Sequence, residues 1–391
     1  MSRLLFVNLP FAGHVNPTPG LVRQLTEAGH QVTYVIAKEF HEALEQSGAE
    51  LVPYDNYDSE WSEPRRYLAS FERAYETAKR VGEENDFDCL IYEGFFLFAN
   101  KLADELELPR VRLFSTFAFN QDVLDRILET GGAHLSVFEH ANPIVKLMTG
   151  YYGKIKGMME TDDFIDELSD PVSDLTITYT SREFQYLSDQ FDDERFKFVG
   201  PPIDEDEIEE ADFDWDSLTG PIIYVAMGTM VERFSKPLYE ACLEAFKELD
   251  ATVIVSAGEL ADSLDDVPDN VSVHSRVAQI DVLKHADLFI THGGMNSVNE
   301  AIYAGVPMLV NPLVNDQMVV AEQILSLGIG KEIDLKKASS EEIRSTALDV
   351  LESTDISSRM HKASQTMRSL GGNKKAAELI TTYLKKQADA L

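Results

Sequence analysis

The stretch Phe289-Ile-Thr-His-Gly-Gly-Met-Asn-Ser-Val-Asn-Glu300 changes its pattern twice within a few residues. It begins as an apolar run short enough for a buried strand, and a glycine pair then interrupts it. Asn296 and Ser297 are good helix-capping residues, and helical spacing follows from Val298. The stretch therefore predicts a strand, a glycine turn and a helix N-terminus. This geometry aims backbone N–H groups and a helix dipole at one point, which suits an anion such as phosphate.

Side chains that donate and accept hydrogen bonds surround the same turn. His292 precedes the glycine pair, and Ser297 and Glu300 follow it at the spacing of an ordinary S-x-x-E capping box. For those two residues alone, a capping box stands as the alternative to a ligand-binding role. It does not account for the histidine and the glycines, so the turn as a whole is interpreted as an anion site.

Length and charge limit the kinds of protein that fit. A chain of 391 residues, of which 44% are hydrophobic, suits two domains of nearly equal size, each with its own core. The formal net charge of −34 argues against nucleic acid and anionic membrane surfaces as partners. An anionic nucleotide would have to be held by local donors against an unfavourable net field.

Cysteine use and the N-terminal residues indicate a cytoplasmic protein. The two cysteines, Cys89 and Cys242, are far apart, so the sequence predicts neither a disulfide framework nor a metal site. The apolar run 4–9 is too short for a signal peptide or a membrane span. Two acidic stretches, 204–206 and 214–216, resemble Asp-x-Asp metal sites but precede the first strand of the second half, and are interpreted as solvated charge.

Short apolar strands alternate with helical segments along both halves. Strands are predicted at 4–9, 31–36, 50–53, 88–92, 110–113, 175–179, 196–200, 222–226, 252–257, 271–274, 288–291 and 308–310. The helices between them include one begun by Phe95–Phe98 and one over about 236–249. Such alternation builds doubly wound parallel sheets, in which ligands bind beyond the carboxyl ends of strands. The acidic stretch Pro201–Glu210 lacks periodicity and predicts a linker.

Ordered motifs near both ends of the chain carry a specific resemblance. The second half contains His274-Ser-Arg-Val-Ala-Gln279, Val282-Leu-Lys-His285, Thr291-His-Gly-Gly-Met-Asn-Ser297, Glu300, Gly305-Val-Pro-Met308 and Asn315-Asp-Gln317. Together these closely resemble the donor-binding signature of UDP-sugar-dependent glycosyltransferases that modify small molecules, of the bacterial macrolide and flavonoid type. The N-terminal Pro10-Phe-Ala-Gly-His-Val-Asn-Pro17 is similar to the acceptor-side histidine loop of that family.

The resemblance implies a GT-B fold, α/β in class, with two Rossmann-like doubly wound parallel-sheet domains facing across a cleft. It implies an acceptor-binding domain over 1–203, a linker over 204–219 and a nucleotide-sugar-binding domain over 220–375. A C-terminal helix over 376–391 would pack back on the N-terminal domain.

Donor-site roles follow residue by residue from the same resemblance. The positions carried over are Thr229, Arg276, Val277, Gln279, His292, Gly294, Asn296, Ser297, Glu300, Asp316 and Gln317. Thr229, His292 and the following turn would contact the diphosphate. Glu300 would accept hydrogen bonds from the ribose hydroxyls, and Asp316 and Gln317 would hold the hydroxyls of the sugar.

Two departures from the family pattern concern the nucleotide base. Arg276 stands where plant members often have the tryptophan that stacks on uracil, and a guanidinium plane can also stack on a base. Ala278 replaces the usual proline before Gln279 and loosens that turn. The class is unaffected, but the preference for UDP stays open.

The implied reaction is displacement of UDP from the anomeric carbon by an acceptor hydroxyl, with inversion. His14 is the candidate general base. Glu93 stands where the family places a partner aspartate, with a solvated strand-end carboxylate as the alternative. The resemblance implies a UDP-sugar co-substrate with glucose as the sugar, and neither a further cofactor nor a metal. We expect a monomer or weak dimer.

A stretch rich in methionine and tyrosine points to the acceptor. Its residues are Met148, Tyr151, Tyr152, Met158 and Met159. Such side chains suit a pocket for a flavonoid, another phenol or a macrolide, and plain core packing is the alternative for each of them.

Other functions share part of this pattern. A sugar-nucleotide epimerase or a cell-envelope glycosyltransferase would share the phosphate turn, but His14–Pro17 together with Asp316–Gln317 favours the small-molecule transferases. A non-catalytic nucleotide-sugar sensor would keep the second-half motif and lose the base. Gly-x-Gly-x-x-Gly and Walker loops are both missing from the sequence, which disfavours a dehydrogenase or an NTPase.

Overall fold

A computed structural model describes residues 1–61, 63–130, 175–228, 232–314 and 316–390. The described residues form two compact units. The first contains mainly residues 1–126, 175–204 and 370–390, and the second mainly Glu205–Ser369. No helix in the described part of the chain is long and apolar enough to cross a membrane.

The first unit is built, within the described residues, on a seven-stranded parallel sheet. Its strands are β1 (Arg3–Val7), β2 (Gln31–Val35), β3 (Glu50–Val52), β4 (Cys89–Glu93), β5 (Arg110–Phe114), β6 (Leu175–Thr178) and β7 (Phe196–Phe198). Their spatial order is β3-β2-β1-β4-β5-β6-β7, so the direction of strand addition reverses between β1 and β4. Leu4–Val7 of β1 are fully buried, as expected of an unbroken apolar run in an interior parallel strand.

Helices follow the strands of the first unit along the chain. They are α1 (Ala12–Val15), α2 (Pro19–Glu27), α3 (His41–Leu44), α4 (Glu63–Glu84), α5 (Ala99–Glu105) and α6 (Gln121–Thr130). The prediction that Phe95–Phe98 begin a helix is wrong, because α5 starts at Ala99. The N–H of Phe95 donates to the Glu93 side chain and that of Phe96 to the Glu93 carbonyl, and these bonds turn the chain before the helix can start.

The second unit repeats this architecture on a six-stranded parallel sheet, in the order β10-β9-β8-β11-β12-β13 among the residues described. Its strands are β8 (Ile222–Ala226), β9 (Thr252–Ser256), β10 (Val271–His274), β11 (Leu288–Thr291), β12 (Met308–Val310) and β13 (Gly330–Glu332). The helices are α7 (Glu232–Phe246), α8 (Gln279–His285), α9 (Met295–Ala304), α10 (Gln317–Leu327), α11 (Ser340–Leu351) and α12 (Thr354–Ser369). The helix expected over about 236–249 therefore starts and ends earlier. β13 was not predicted because Gly-Lys-Glu has no apolar pattern.

The last helix, α13 (Gly372–Ala390), belongs to the first unit, which the chain re-enters at Leu370. Its apolar face joins the first core through Ala376, Ala377, Ile380 and Leu384. On the same helix, Thr381 Oγ1 lies 3.1 Å from Nε2 of the buried His30.

Much of the acidic segment around 204–219 packs against the second unit. Glu205 accepts hydrogen bonds from the Tyr303 hydroxyl at 2.7 Å and from Arg368 at 3.2 Å. The Trp215 ring stacks on His285 with centroids 3.9 Å apart. These partners lie far away in sequence, so a pattern without periodicity could not reveal them.

Candidate active site

The carboxyl ends of β1 and β4 meet where the strand order of the first sheet reverses. Val7 lies opposite Tyr92 in the β1–β4 pairing, so the residues that follow these positions in the two strands lie next to each other at the same edge of the sheet. His14 lies on α1, just after β1, and Glu93 is the last residue of β4. Such a switch point is the usual ligand position in an open α/β sheet.

His14 and Glu93 are in direct contact. His14 Nδ1 lies 2.9 Å from Glu93 Oε1, and the side chains are 24% and 3% exposed. The other carboxylate oxygen, Oε2, accepts from the Phe95 N–H at 2.9 Å, which fixes the carboxylate in place. Because Nδ1 faces Glu93, Nε2 is the ring nitrogen that can take a proton from a ligand. A buried carboxylate stabilises the imidazolium that would form.

A buried polar cluster holds the short helix α1, which carries His14. Asn8, which is fully buried, donates from Nδ2 to the His14 carbonyl at 3.0 Å and to the Tyr34 hydroxyl at 2.8 Å. Thr18 Oγ1 lies 2.9 Å from the same hydroxyl, and the Tyr54 hydroxyl donates to the Asn8 carbonyl. Asn8 therefore fixes the position of the backbone at His14.

Aromatic rings surround the His14 imidazole. The half-buried Phe11 and Phe95 contact it edge-on, with centroids 5.5 and 5.3 Å away. Behind Phe95 lie Phe114 and Phe119, with centroids 6.3 and 5.3 Å from it. These rings give the surroundings of His14 an apolar, aromatic character that suits an apolar ligand.

In the second unit, glycines enclose the imidazole of His292. A Cβ at Gly294 would lie 2.5 Å from His292 Nε2, and one at Gly228 would lie 2.5 Å from Cε1. Gly228 and Gly293 also have φ of +71° and +84°, where other residues are strained. Burial lowers the pKa of His292 to about 4, and the Ala226 backbone partly offsets this. The imidazole is therefore neutral at pH 7.

Helix α9 begins earlier than the sequence indicated, and its cap differs. Gly294 occupies the N-cap position without a side-chain hydrogen bond, and Met295 is the first helical residue. Asn296 and Ser297 therefore lie inside the first turn, and the capping box between Ser297 and Glu300 does not form. The first amides of a helix have no intrahelical acceptor, so the α9 N-terminus beside His292 has the geometry that suits an anion.

Gln279 of α8 connects the side chains of this site. Its Nε2 donates to Glu300 Oε2 at 2.5 Å and to Ser297 Oγ at 3.1 Å. Its Oε1 accepts from the Tyr224 hydroxyl at 3.0 Å. Burial raises the pKa of Glu300 to about 7, and the hydrogen bond from Gln279 opposes this effect. Gln279, Ser297 and Glu300 are thus brought together as one polar cluster.

The residues expected to contact the nucleotide base are Arg276 and Val277, and Arg276 is the more exposed of the two. The Arg276 side chain is 81% exposed and lies 3.1 Å from Glu209 Oε2. Val277 follows it and is partly buried. Arg276 therefore forms a solvated ion pair with Glu209, and its guanidinium plane is accessible to a flat ligand.

Asp316 and Gln317, expected at the sugar, start helix α10. Asp316 occupies its N-cap position without a side-chain hydrogen bond to the helix. The Gln317 Oε1 accepts from the backbone N–H groups of Leu313 and Val314 at 2.9 and 3.0 Å. The Gln317 oxygen thus holds the preceding loop.

Thr229 and the stretch 148–159, both expected at the site, lie outside the described residues.

The sequence analysis did not identify Asn8 and Tyr224 as site residues. Each is a polar residue in an otherwise apolar run that predicts a strand. That interruption of the apolar pattern is the signal that could have found them. No group of three or more His, Cys, Asp or Glu side chains in the described residues could hold a metal ion.

The two parallel-sheet units have the fold of GT-B glycosyltransferases. The glycotransferase of kitacinnamycin matches with a TM-score of 0.84 at 25% identity, over 98% of this chain and 99% of that one.

The chain belongs to the UDP-glucoronosyl and UDP-glucosyl transferase family, whose model matches residues 207–366. The UDP-glucosyltransferase YojK of Bacillus subtilis (strain 168) is 31% identical over 100% of this chain and 99% of its own. The NDP-glycosyltransferase YjiC of the same organism is 30% identical over 98% of this chain and 97% of its own. The protein is therefore a UDP-glycosyltransferase.

Proposed function

We propose that this enzyme transfers glucose from UDP-glucose to a hydroxyl group of a small hydrophobic acceptor, with inversion of the anomeric carbon. The observation that carries the proposal is the contact of 2.9 Å between His14 Nδ1 and the buried Glu93 carboxylate. A hydroxyl is a weak nucleophile until a base takes its proton, and this pair is a base with an ionic partner.

The proposed chemistry is a single displacement. The acceptor hydroxyl gives its proton to His14 Nε2 as its oxygen bonds to the anomeric carbon, and the bond from that carbon to UDP breaks. Glu93 stabilises the imidazolium. Attack on the face opposite the leaving diphosphate inverts the carbon.

The proposed donor site lies on the second unit. The diphosphate accepts from the first amides of α9 and from the neutral His292, while Glu300 accepts from the ribose hydroxyls. Fixed donors of this kind stabilise the charge on the departing UDP, so the proposal includes no metal ion. Calorimetry with UDP in EDTA tests this, and complete loss of UDP affinity there would contradict it.

Arg276 is proposed to stack on the base. Its ion pair with Glu209 is exposed, and such pairs contribute only about 0–1 kcal/mol, so stacking can replace it at little cost. The name of the relative YjiC refers to NDP rather than UDP, in line with a base site of relaxed specificity.

The proposed acceptor is aromatic or otherwise apolar, such as a flavonoid, another phenol or a macrolide. Support comes from the edge-on rings of Phe11 and Phe95 beside the base. We also propose a cytoplasmic monomer or weak dimer, in line with two buried free thiols, Cys89 and Cys242.

One assay separates this function from its alternatives. The enzyme is incubated with UDP-glucose, with and without a mixed panel of polyphenols and macrolides, and products are followed by mass spectrometry. UDP release that depends on an acceptor, together with a hexosylated product, is expected. An epimerised UDP-sugar would indicate an epimerase, and UDP binding without any turnover would indicate a sensor.

A further inference from the structure

The hydrogen-bond chain at Gln279 has a fixed direction. The Tyr224 hydroxyl is buried under the site and donates to Gln279 Oε1 at 3.0 Å. An ionised carboxylate only accepts and an amide nitrogen only donates, so Glu300 requires the nitrogen end of the amide, and the oxygen end is left to accept from Tyr224. The nitrogen end faces outward and donates to Glu300 and Ser297.

The direction decides what the site offers to a ligand. With the nitrogen toward Glu300, the carboxylate keeps a hydrogen-bond donor and its ionised form is favoured. With Ser297 Oγ accepting from Gln279, the serine keeps its own O–H to donate. If the amide were rotated by half a turn, its oxygen would face the Glu300 carboxylate, and the bond that Glu300 accepts would be lost.

We propose that Tyr224 is a positioning residue for nucleotide recognition, which locks the Gln279 amide so that Glu300 is an ionised acceptor for the ribose diol. The inference rests on the proposed function, in which Glu300 binds that diol. The Tyr224 hydroxyl reaches Glu300 through the Gln279 amide. Burial raises the pKa of Tyr224 far above neutrality, so this group stays neutral while Glu300 titrates near pH 7.

The test compares UDP with 2′,3′-dideoxy-UDP by calorimetry on the full-length enzyme from pH 6 to 8.5. The diphosphate titrates alike in both ligands, so the ratio of their affinities isolates the diol contribution. In the wild type the ratio should favour UDP and should fall as pH decreases, because Glu300 becomes protonated. In Tyr224→Phe the ratio should be about threefold to tenfold smaller. The midpoint of its change with pH should lie at a higher pH than in the wild type.

Two further variants make the result specific. Tyr303→Phe removes another hydroxyl from the second unit, one bonded to Glu205, and should leave the ratio unchanged. In a Gln279→Ala background, Tyr224→Phe should have no further effect on the ratio, because the two residues act in series. If Tyr224→Phe does not fold, Gln279→Glu replaces it, since this change places a second carboxylate beside Glu300 and should remove the diol preference.

The outcomes are distinguishable. An unchanged ratio and midpoint in Tyr224→Phe, or an unchanged ratio in Gln279→Glu, would overturn the positioning role. A wild-type enzyme that binds neither ligand would instead overturn the proposed function.

Discussion

His14 and His292 occupy similar places in the two units, and their surroundings are opposite. Each lies beyond the carboxyl end of an interior parallel strand, β1 or β11. His14 is partly exposed and has a buried carboxylate 2.9 Å from Nδ1. His292 is buried among glycine backbones, and its pKa is lowered to about 4.

The difference shows how one residue type is used in two ways. Beside Glu93, the His14 ring gains a partner for the charge that it acquires on taking a proton. The His292 ring has lost its solvation, so it stays neutral near pH 7 and can only donate or accept a hydrogen bond. The first environment suits a base and the second suits a binding group.

The largest effect is expected from His14→Ala. General-base catalysis contributes about 10²–10⁴-fold, so transfer to a phenol should fall by that order while UDP affinity stays nearly unchanged. Initial rates and calorimetry check the two parts. His361→Ala removes an exposed histidine of α12 and serves as the control, with no change expected in either measurement. A parallel loss of UDP affinity in His14→Ala would contradict the account in which His14 acts as a base and His292 as a binding group.

His292→Gln should change how stability depends on pH. The His292 pKa is lowered from 6.5 to about 4 on folding, so its contribution is fully present above pH 6.5 and is lost as pH falls toward 4. The wild type should lose on the order of 3 kcal/mol more stability over this range than the variant. Urea unfolding at a series of pH values measures the difference, and parallel curves would show that His292 is not buried in its neutral form.

Glu93→Gln should reduce the transfer rate less than His14→Ala does. The imidazole remains but loses its ionic partner, and loss of a hydrogen bond to a charged group costs about 1.5–3 kcal/mol. The expected decrease in kcat is therefore about tenfold to a hundredfold. A decrease as large as that of His14→Ala would mean that Glu93 does more than stabilise the imidazolium.

The smallest effect is expected from Arg276→Ala. The side chain is exposed and its ion pair is weak, so binding of UDP should fall by about 1 kcal/mol or less. If the guanidinium stacks on the base, discrimination between UDP, dTDP and GDP should also decrease. Equal losses for all three nucleotides would show that Arg276 supplies only charge.

The sequence predicted the fold class well, because both sheets are built on buried apolar strands separated by helices. It also placed His14 just after one strand and Glu93 at the end of another, and the structure brings their side chains to 2.9 Å. The strand order makes β1 and β4 neighbours, which a local pattern cannot show.

The predicted cap of α9 was wrong for a reason that is not local. Ser297 has the right chemistry for a cap, but the hydroxyl is used by Gln279 from another helix, and Gly294 starts the helix instead. Asn8 and Tyr224 were missed for a similar reason, because their partners become visible only in the folded chain.

The central claim is that His14 takes the proton of the acceptor and does nothing else. It is tested most directly by measuring kcat/KM of the wild type and of His14→Ala with phenols of decreasing pKa. An acidic phenol is already partly ionised, so the ratio of wild type to variant should be largest for the least acidic acceptor and should shrink steadily along the series. Full activity of His14→Ala on a weakly acidic alcohol would contradict the claim and place the base elsewhere.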